Sequence, residues 1–310
     1  EPPLMSHGVR ESELRDVAFT TPTPFTEDGE EVRHDALADN LRFLERAGAR
    51  LFIPCGNTGE YDSLTDDERV AVVRTHVETV GDDGTVVGGL AGSTKQVRSL
   101  AAGYEEAGAD ALMIMPPDHT YVHERGLDEY YRRIAAATEL DVVLYKRGPA
   151  PTPRTLASLA EVDNVVGVKY ARNDLREFAA LTADVPELVW LDGVAERYAP
   201  GFAIEGAVGF TTGLGNFAPA ISLALAEALH DADWERARRL REVVRPIEEL
   251  REETGEDNSF PAANNVPVVK YGLELAGQTG GPVREPLVEL SEDDRRRTRE
   301  YYERIVDTDL

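Results

Sequence analysis

The chain reads as an α/β protein, a (β/α)8 barrel of the TIM type with a helical extension at its C-terminal end. Three observations predict this. Short apolar runs alternate with longer amphipathic, charge-studded stretches, eight of each, within about 215 residues. The runs are apolar almost throughout rather than at every second position, as parallel strands buried on both faces are. Beyond about residue 230 the runs stop and only helical patterns remain.

The predicted strands are Val17–Thr20, Leu51–Pro54, Thr85–Leu90, Ala111–Met115, Asp141–Tyr145, Val165–Lys169, Leu188–Leu191 and Ala207–Thr211. Between and after them the pattern predicts helices over 33–47, 66–80, 94–107, 126–138, 153–161, 173–183, 195–204 and 217–229. Thr65 followed by Asp66, Asp67 and Glu68 is a hydroxyl cap with acids at the positive end of a helix, and Asp128 and Glu129 read as acids early in theirs. Gly48 and Gly108 stand where helices stop. A doubly wound open sheet is the competing fold. It normally carries a glycine-rich phosphate loop after its first strand, whereas here that strand runs into Thr20-Thr21-Pro22-Thr23-Pro24-Phe25. Helices are predicted over 231–252, 263–276 and 291–306, with a Glu-, Gly-, Asn- and Ser-containing loop at 253–261. The organisation expected is an N-terminal extension over 1–14, a barrel over 15–230 and a C-terminal helical region over 231–310.

Composition narrows the function. The 310 residues carry 58 Asp and Glu against 33 Lys and Arg, a net charge of −25, and only four of the bases are lysine: Lys95, Lys146, Lys169 and Lys270. Such a polyanion repels nucleic acid phosphates and anionic lipid, so neither is an expected partner. No run approaches the length of a membrane-spanning helix, and Glu1–Arg10 shows no basic-then-apolar leader. The single cysteine, Cys55, allows no internal disulfide, and the cytoplasm is the expected location. The acid excess with so few lysines is that of proteins adapted to concentrated salt.

Active sites of parallel barrels lie at the carboxyl ends of the strands, so the residues found there are the candidates. Lys169 closes the run Val165-Val166-Gly167-Val168. A lysine in a barrel wall is desolvated, which makes a neutral amine available to attack a ketone and form a Schiff base. A structural lysine paired with a carboxylate such as Glu60 is the alternative. Tyr145, closing the neighbouring strand, is either a proton carrier for that chemistry or an aromatic core filler. Gly56-Asn57-Thr58-Gly59-Glu60 offers flexible backbone, N–H groups and a hydroxyl suited to a carboxylate, or is a plain strand-to-loop turn. Among the histidines only His119 and His123 have an i, i+4 spacing, with no third ligand beside them, so no metal site is expected. His119 is a candidate acid or base at the mouth.

These residues carry a resemblance. Thr20-Thr21-Pro22 with Pro24-Phe25, Gly56-Asn57-Thr58-Gly59-Glu60 with Leu64-Thr65 and Glu68, Ala107-Gly108-Ala109-Asp110 with Met115-Pro116-Pro117, Tyr145, Gly167-Val168-Lys169, Gly193, and Gly206 to Asn216 follow one another as in the dihydrodipicolinate synthase / N-acetylneuraminate lyase family. The resemblance covers nearly the whole chain. It implies a class I aldolase or lyase in which Lys169 forms the Schiff base and Tyr145 shuttles protons. It further implies that Gly56, Asn57 and Thr58 hold the carboxylate of a 2-oxo acid, and that Gly193 and Thr211 line the same pocket. It implies no cofactor or metal, because the iminium is the electrophile, and a homotetramer or homodimer.

Departures from the family pattern bear on the substrate. Asn57 stands where the family has a relay hydroxyl, and an amide does not pass a proton as readily. Asp118, or His119, stands where synthases carry a tyrosine reaching into a neighbouring subunit. Ala150 stands where they carry the arginine that binds aspartate semialdehyde, whose bidentate partner is then missing. Tyr145-Lys146-Arg147 and Thr211-Thr212 are similar to the sugar-acid branch, which includes dehydratases of 5-dehydro-4-deoxyglucarate. Cleavage or dehydration of a 2-keto-3-deoxy sugar acid is therefore the expected activity, with Arg147 facing the far end of the substrate. Dihydrodipicolinate synthase and a non-catalytic 2-oxo acid binding protein are the alternatives. Such a substrate is an anion, so Lys146, Arg147 and Arg172 are expected near the mouth. Concentrated salt would screen the remaining charge. Activity is accordingly expected to fall when salt is diluted to about 0.1 M; initial rates undiminished in dilute buffer would contradict this.

Overall fold

Parallel strands cannot be joined by tight turns, so each must return through a crossover, and eight such units close here into one ring. The computed structural model describes Val9 and residues 11–310. The strands are β1 (Val17–Phe19), β2 (Leu51–Phe52), β3 (Thr85–Leu90), β4 (Ala111–Ile114), β5 (Asp141–Lys146), β6 (Val165–Tyr170), β7 (Val189–Asp192) and β8 (Gly209–Thr212), ordered around the barrel as in the chain. β8 closes on β1 in parallel, with Ala18 opposite Thr211. Between the strands lie α2 (His34–Ala47), α3 (Asp66–Val80), α4 (Thr94–Ala107), α5 (Glu124–Ala135), α6 (Pro153–Leu159), α7 (Leu175–Asp184) and α8 (Ala199–Ile204), and α9 (Pro219–His230) follows β8. The C-terminal region forms α10 (Trp234–Glu252), α11 (Asn265–Leu275) and α12 (Glu292–Val306), with α10 packed on both α9 and α12.

Local chemistry sets the ends of these elements. Thr65 and Glu68 cap α3 reciprocally, side chain to backbone in both directions. Gly48 and Gly108 take the left-handed conformation that ends α2 and α4. α5 begins earlier than the acids suggested, because His123 caps it by accepting the Arg125 N–H. Asp128 and Glu129 consequently lie beyond the first turn and pair with Arg132 and Arg133 one turn on. β2 is shorter than expected, since Pro54 has no N–H and Cys55 turns the backbone to a φ of 56°. β5, β6, β7 and β8 each end one residue later than expected, and β7 and β8 also begin later, at Val189 and Gly209. The N-terminal extension lies largely outside the described residues. Its last part forms a short helix, α1 (Glu11–Leu14), whose buried Leu14 lies beside Gly167 of β6. Among the described residues no helix is long and apolar enough to cross a membrane.

The C-terminal helices are tied to the loop after β2. Glu60, in a left-handed conformation (φ 56°), pairs with Lys270 of α11 at 2.5 Å, and both side chains are buried. The Arg284 backbone N–H donates to the other Glu60 oxygen at 3.0 Å, and the Arg284 guanidinium reaches both oxygens of Glu68. Lys270 Nζ also donates to Pro282 O and lies 4.2 Å from the centre of the Phe25 ring. Burial pushes the Glu60 carboxyl up and the Lys270 ammonium down, each opposed by its partner's charge. Removing one member leaves a buried, unpaired charge, so Lys270→Met is expected to cost about 3–5 kcal/mol, and the Glu60→Gln/Lys270→Met pair to recover much of it. Urea unfolding checks this. A single-variant loss of only about 0–1 kcal/mol, as for a surface pair, would refute the clamp.

Candidate active site

Side chains alternate across a strand, so register decides what enters the barrel. Tyr145 of β5 is paired with Lys169 of β6, and the next pair is Lys146 with Tyr170. The first pair faces inward. The Lys169 Nζ lies 4.6 Å from the centre of the Tyr145 ring, and both side chains are buried. Desolvation, with repulsion from Arg147, lowers the Lys169 ammonium to about 7 against the pull of Asp192. Burial likewise raises Tyr145, opposed by Arg147. Lys169 is therefore not the partner of Glu60, which Lys270 takes.

The loop after β2 closes the chamber from the other side. Its backbone folds back on itself, Glu60 N–H to Asn57 O at 3.1 Å and Tyr61 N–H to Gly56 O at 3.3 Å. Gly59 is required for this: a Cβ there would meet Thr21 O at 2.9 Å and Cys55 N at 3.1 Å. Among the described residues, the N–H groups of Asn57 and Thr58 donate to no other group of the chain. Asn57 Nδ2 donates to the Tyr145 hydroxyl at 3.2 Å. Thr58 Oγ1 lies 3.2 Å from Thr20 Oγ1, which donates to Thr212 O. Asn57, Thr58, Tyr145, Arg147, Lys169, Gly193 and Thr211 all line one cavity of about 320 Å³. Gly56 does not line it. Gly193 brings the end of β7 against β6, its N–H donating to Tyr170 O at 2.7 Å where any side chain would collide.

A wider cleft of about 890 Å³ adjoins the chamber, sharing Asn57, Tyr145 and Arg147, and is lined also by Asp118, His119 and His123. His119 and His123 each use Nδ1 to accept a backbone N–H two residues on, so each ring is oriented by its own loop.

Three expectations are corrected. Lys146 points out of the barrel, where it is buried, donates to Pro151 O at 3.0 Å and lies 3.4 Å from Glu177. Arg172 also pairs with Glu177, at 2.7 Å. Of the three cations expected at the mouth, only Arg147 lines the chamber. Thr212 is the outward member of its pair: it donates to buried Glu196, as does Ser222 of α9, so only Thr211 presents a hydroxyl inside. Burial and the Glu248 charge raise Glu196 to about 7, and burial raises Asp192 well above the carboxylate range. The sequence reading also missed Thr20, Glu248 and Arg251, which line the same chamber. The latter two come from α10, outside the barrel units, and no motif marks them.

The geometry has counterparts in known proteins. The model of the dihydrodipicolinate synthetase family matches residues 13–304. The 4-hydroxy-tetrahydrodipicolinate synthase of Methanopyrus kandleri is 33% identical over 87% of this chain and 89% of that one. A probable 5-dehydro-4-deoxyglucarate dehydratase of Streptomyces coelicolor is 34% identical over 84% of this chain and 83% of that one. The crystal structure of dihydrodipicolinate synthase from Oceanobacillus iheyensis superposes with a TM-score of 0.89 at 34% identity, covering 94% of this chain and 97% of that one. With the barrel, the inward lysine–tyrosine pair and a match along nearly its full length, the chain belongs to the dihydrodipicolinate synthetase family and is a lyase.

Proposed function

We propose that the chain is a Schiff-base lyase for a 2-oxo acid, dehydrating or cleaving a 2-keto-3-deoxy sugar acid. The observation that carries this is the buried, partly neutral Lys169 against Tyr145, in one chamber with the free N–H groups of the Asn57–Thr58 turn. The substrate carboxylate docks on that turn, which orients C2 toward Lys169. Neutral Nζ attacks C2, and water leaves from the carbinolamine to give a protonated imine. The iminium draws electrons from C3. Loss of a C3 proton then expels the C4 hydroxyl as water; alternatively, loss of the C4 hydroxyl proton breaks C3–C4 and releases an aldehyde. Tyr145 carries these protons. Asn57 donates to the Tyr145 oxygen without passing a proton itself. It steadies the phenol as the proton leaves and keeps the O–H free to face the substrate.

The sugar-acid branch is favoured over the synthase by Ala150, which supplies no guanidinium, and by Arg147 at the chamber wall. Incubation with pyruvate, borohydride reduction and mass analysis should give one adduct, at Lys169; its absence would sink the Schiff-base reading. Screening 2-keto-3-deoxy sugar acids against pyruvate with aspartate semialdehyde then separates the branches. Condensation with the semialdehyde would assign the synthase, and an adduct without any turnover would assign a binding protein. Only the deprotonated amine attacks, so the initial trapping rate is expected to fall about tenfold for each pH unit below the Lys169 value of about 7 and to level off above it. A rate that rises only near pH 10 would place Lys169 in water and contradict its burial.

A further inference from the structure

We propose that His76, in the helical layer outside the barrel, is a positioning residue for the reaction. Acting through Thr21, it holds the turn after β2 in the form that receives the substrate carboxylate. The inference rests on the Schiff-base reading above and adds a residue to it.

His76 lies on α3 and is the one buried histidine among the described residues. Both ring nitrogens are used: Nδ1 lies 2.8 Å from Val72 O, and Nε2 lies 2.8 Å from Thr21 Oγ1. A carbonyl only accepts, so Nδ1 carries the proton and Nε2 accepts from the Thr21 hydroxyl. Burial lowers the ring to about 4, so this contact joins neutral groups throughout the range in which Lys169 reacts. An aliphatic side chain would fill the same space with no polar atom to satisfy. The ring therefore does more than pack, and among the described residues its one hydrogen bond beyond α3 goes to Thr21.

Thr21 belongs to the segment that leaves β1, Thr20-Thr21-Pro22-Thr23-Pro24, and the turn after β2 leans on that segment. Thr20 Oγ1 lies 3.2 Å from Thr58 Oγ1. The Thr21 carbonyl sits against Gly59, where a Cβ would come within 2.9 Å of it. Thr23 Oγ1 donates to Gly59 O at 2.9 Å. Two prolines fix φ within the segment and restrict the residues before them, so a shift at Thr21 is passed along it rather than absorbed. Asn57 and Thr58, whose N–H groups take the carboxylate, immediately precede Gly59. Loosening the His76–Thr21 contact therefore misdirects those N–H groups while the Lys169–Tyr145 pair, on β5 and β6, stays where it is.

The test separates carboxylate binding from folding and from attack by Lys169. Pyruvate and its uncharged methyl ester are each trapped at Lys169 with borohydride over a concentration series. In the unaltered protein, half-saturation is expected at a concentration at least about tenfold lower for pyruvate than for the ester. Thr21→Val/His76→Leu replaces both partners by apolar groups and is expected to unfold in urea as the unaltered protein does. It should raise half-saturation for pyruvate about fivefold to tenfold and for the ester less than about twofold, with the maximal trapping rate and its pH dependence kept. Thr21→Ser and His76→Gln, which keep the hydroxyl donor and a side-chain acceptor, should each return half-saturation close to the unaltered value. Thr21→Val alone gives the same comparison if the double variant does not fold. Half-saturation that moves equally for both compounds, or for neither, would overturn the role of His76 and leave the Schiff-base reading standing. Equal half-saturation in the unaltered protein, or loss of folding in both Val variants, would do the same. Absence of any adduct in the unaltered protein would overturn both.

Discussion

The register between β5 and β6 is the constraint on which the rest of the site depends. Parallel pairing sets Tyr145 beside Lys169, and the period of two sends both into the barrel and their neighbours Lys146 and Tyr170 out of it. A one-residue slip of β6 would turn Lys169 out into the helical layer, and one of β5 would turn Tyr145 out and Lys146 in. Inside, water is replaced by the barrel wall, and loss of hydration is the first cause of the depressed Lys169. Arg147 and Asp192 then act in opposite directions on the same amine, so the ionisation balance lies near neutrality rather than at either extreme.

Around that pair the fold is built to bring backbone close. Gly59 and Gly193 stand where a Cβ would strike neighbouring main chain, one shaping the turn after β2 and the other drawing β7 onto β6. The turn is held from behind by Glu60 and Lys270, so a helix some two hundred residues downstream braces a loop after the second strand. The C-terminal helices therefore do more than cover the barrel. α11 anchors one wall of the chamber, and α10 contributes residues to another.

What was legible in the sequence follows from which signals are local. Eight apolar runs marked eight strands because burial on both faces removes alternation, and Lys169 and Tyr145 were legible because they close such runs. The direction of Lys146 was not. Adjacent residues at a strand end face opposite ways, and charge alone suggested solvent, whereas Glu177 and the Pro151 carbonyl hold it behind the sheet. Thr212 was misjudged for the same reason, its hydroxyl being used by Glu196. Arg251 left no local signal: it is one arginine in a charged helix, and only tertiary packing brings it to the chamber. Glu60 was offered only as an alternative partner for Lys169, whereas Lys270, some two hundred residues downstream, takes it.

Three of the four lysines, at 146, 169 and 270, are buried, and Lys95 on α4 is exposed. The outer surface is thus nearly closed to covalent chemistry at lysine. Acylating enzymes and ubiquitin-type conjugation, too bulky for the chamber that holds Lys169, would find a single lysine side chain, Lys95, in reach on the folded protein. Attachment there would be uniform in position without any engineering of the surface.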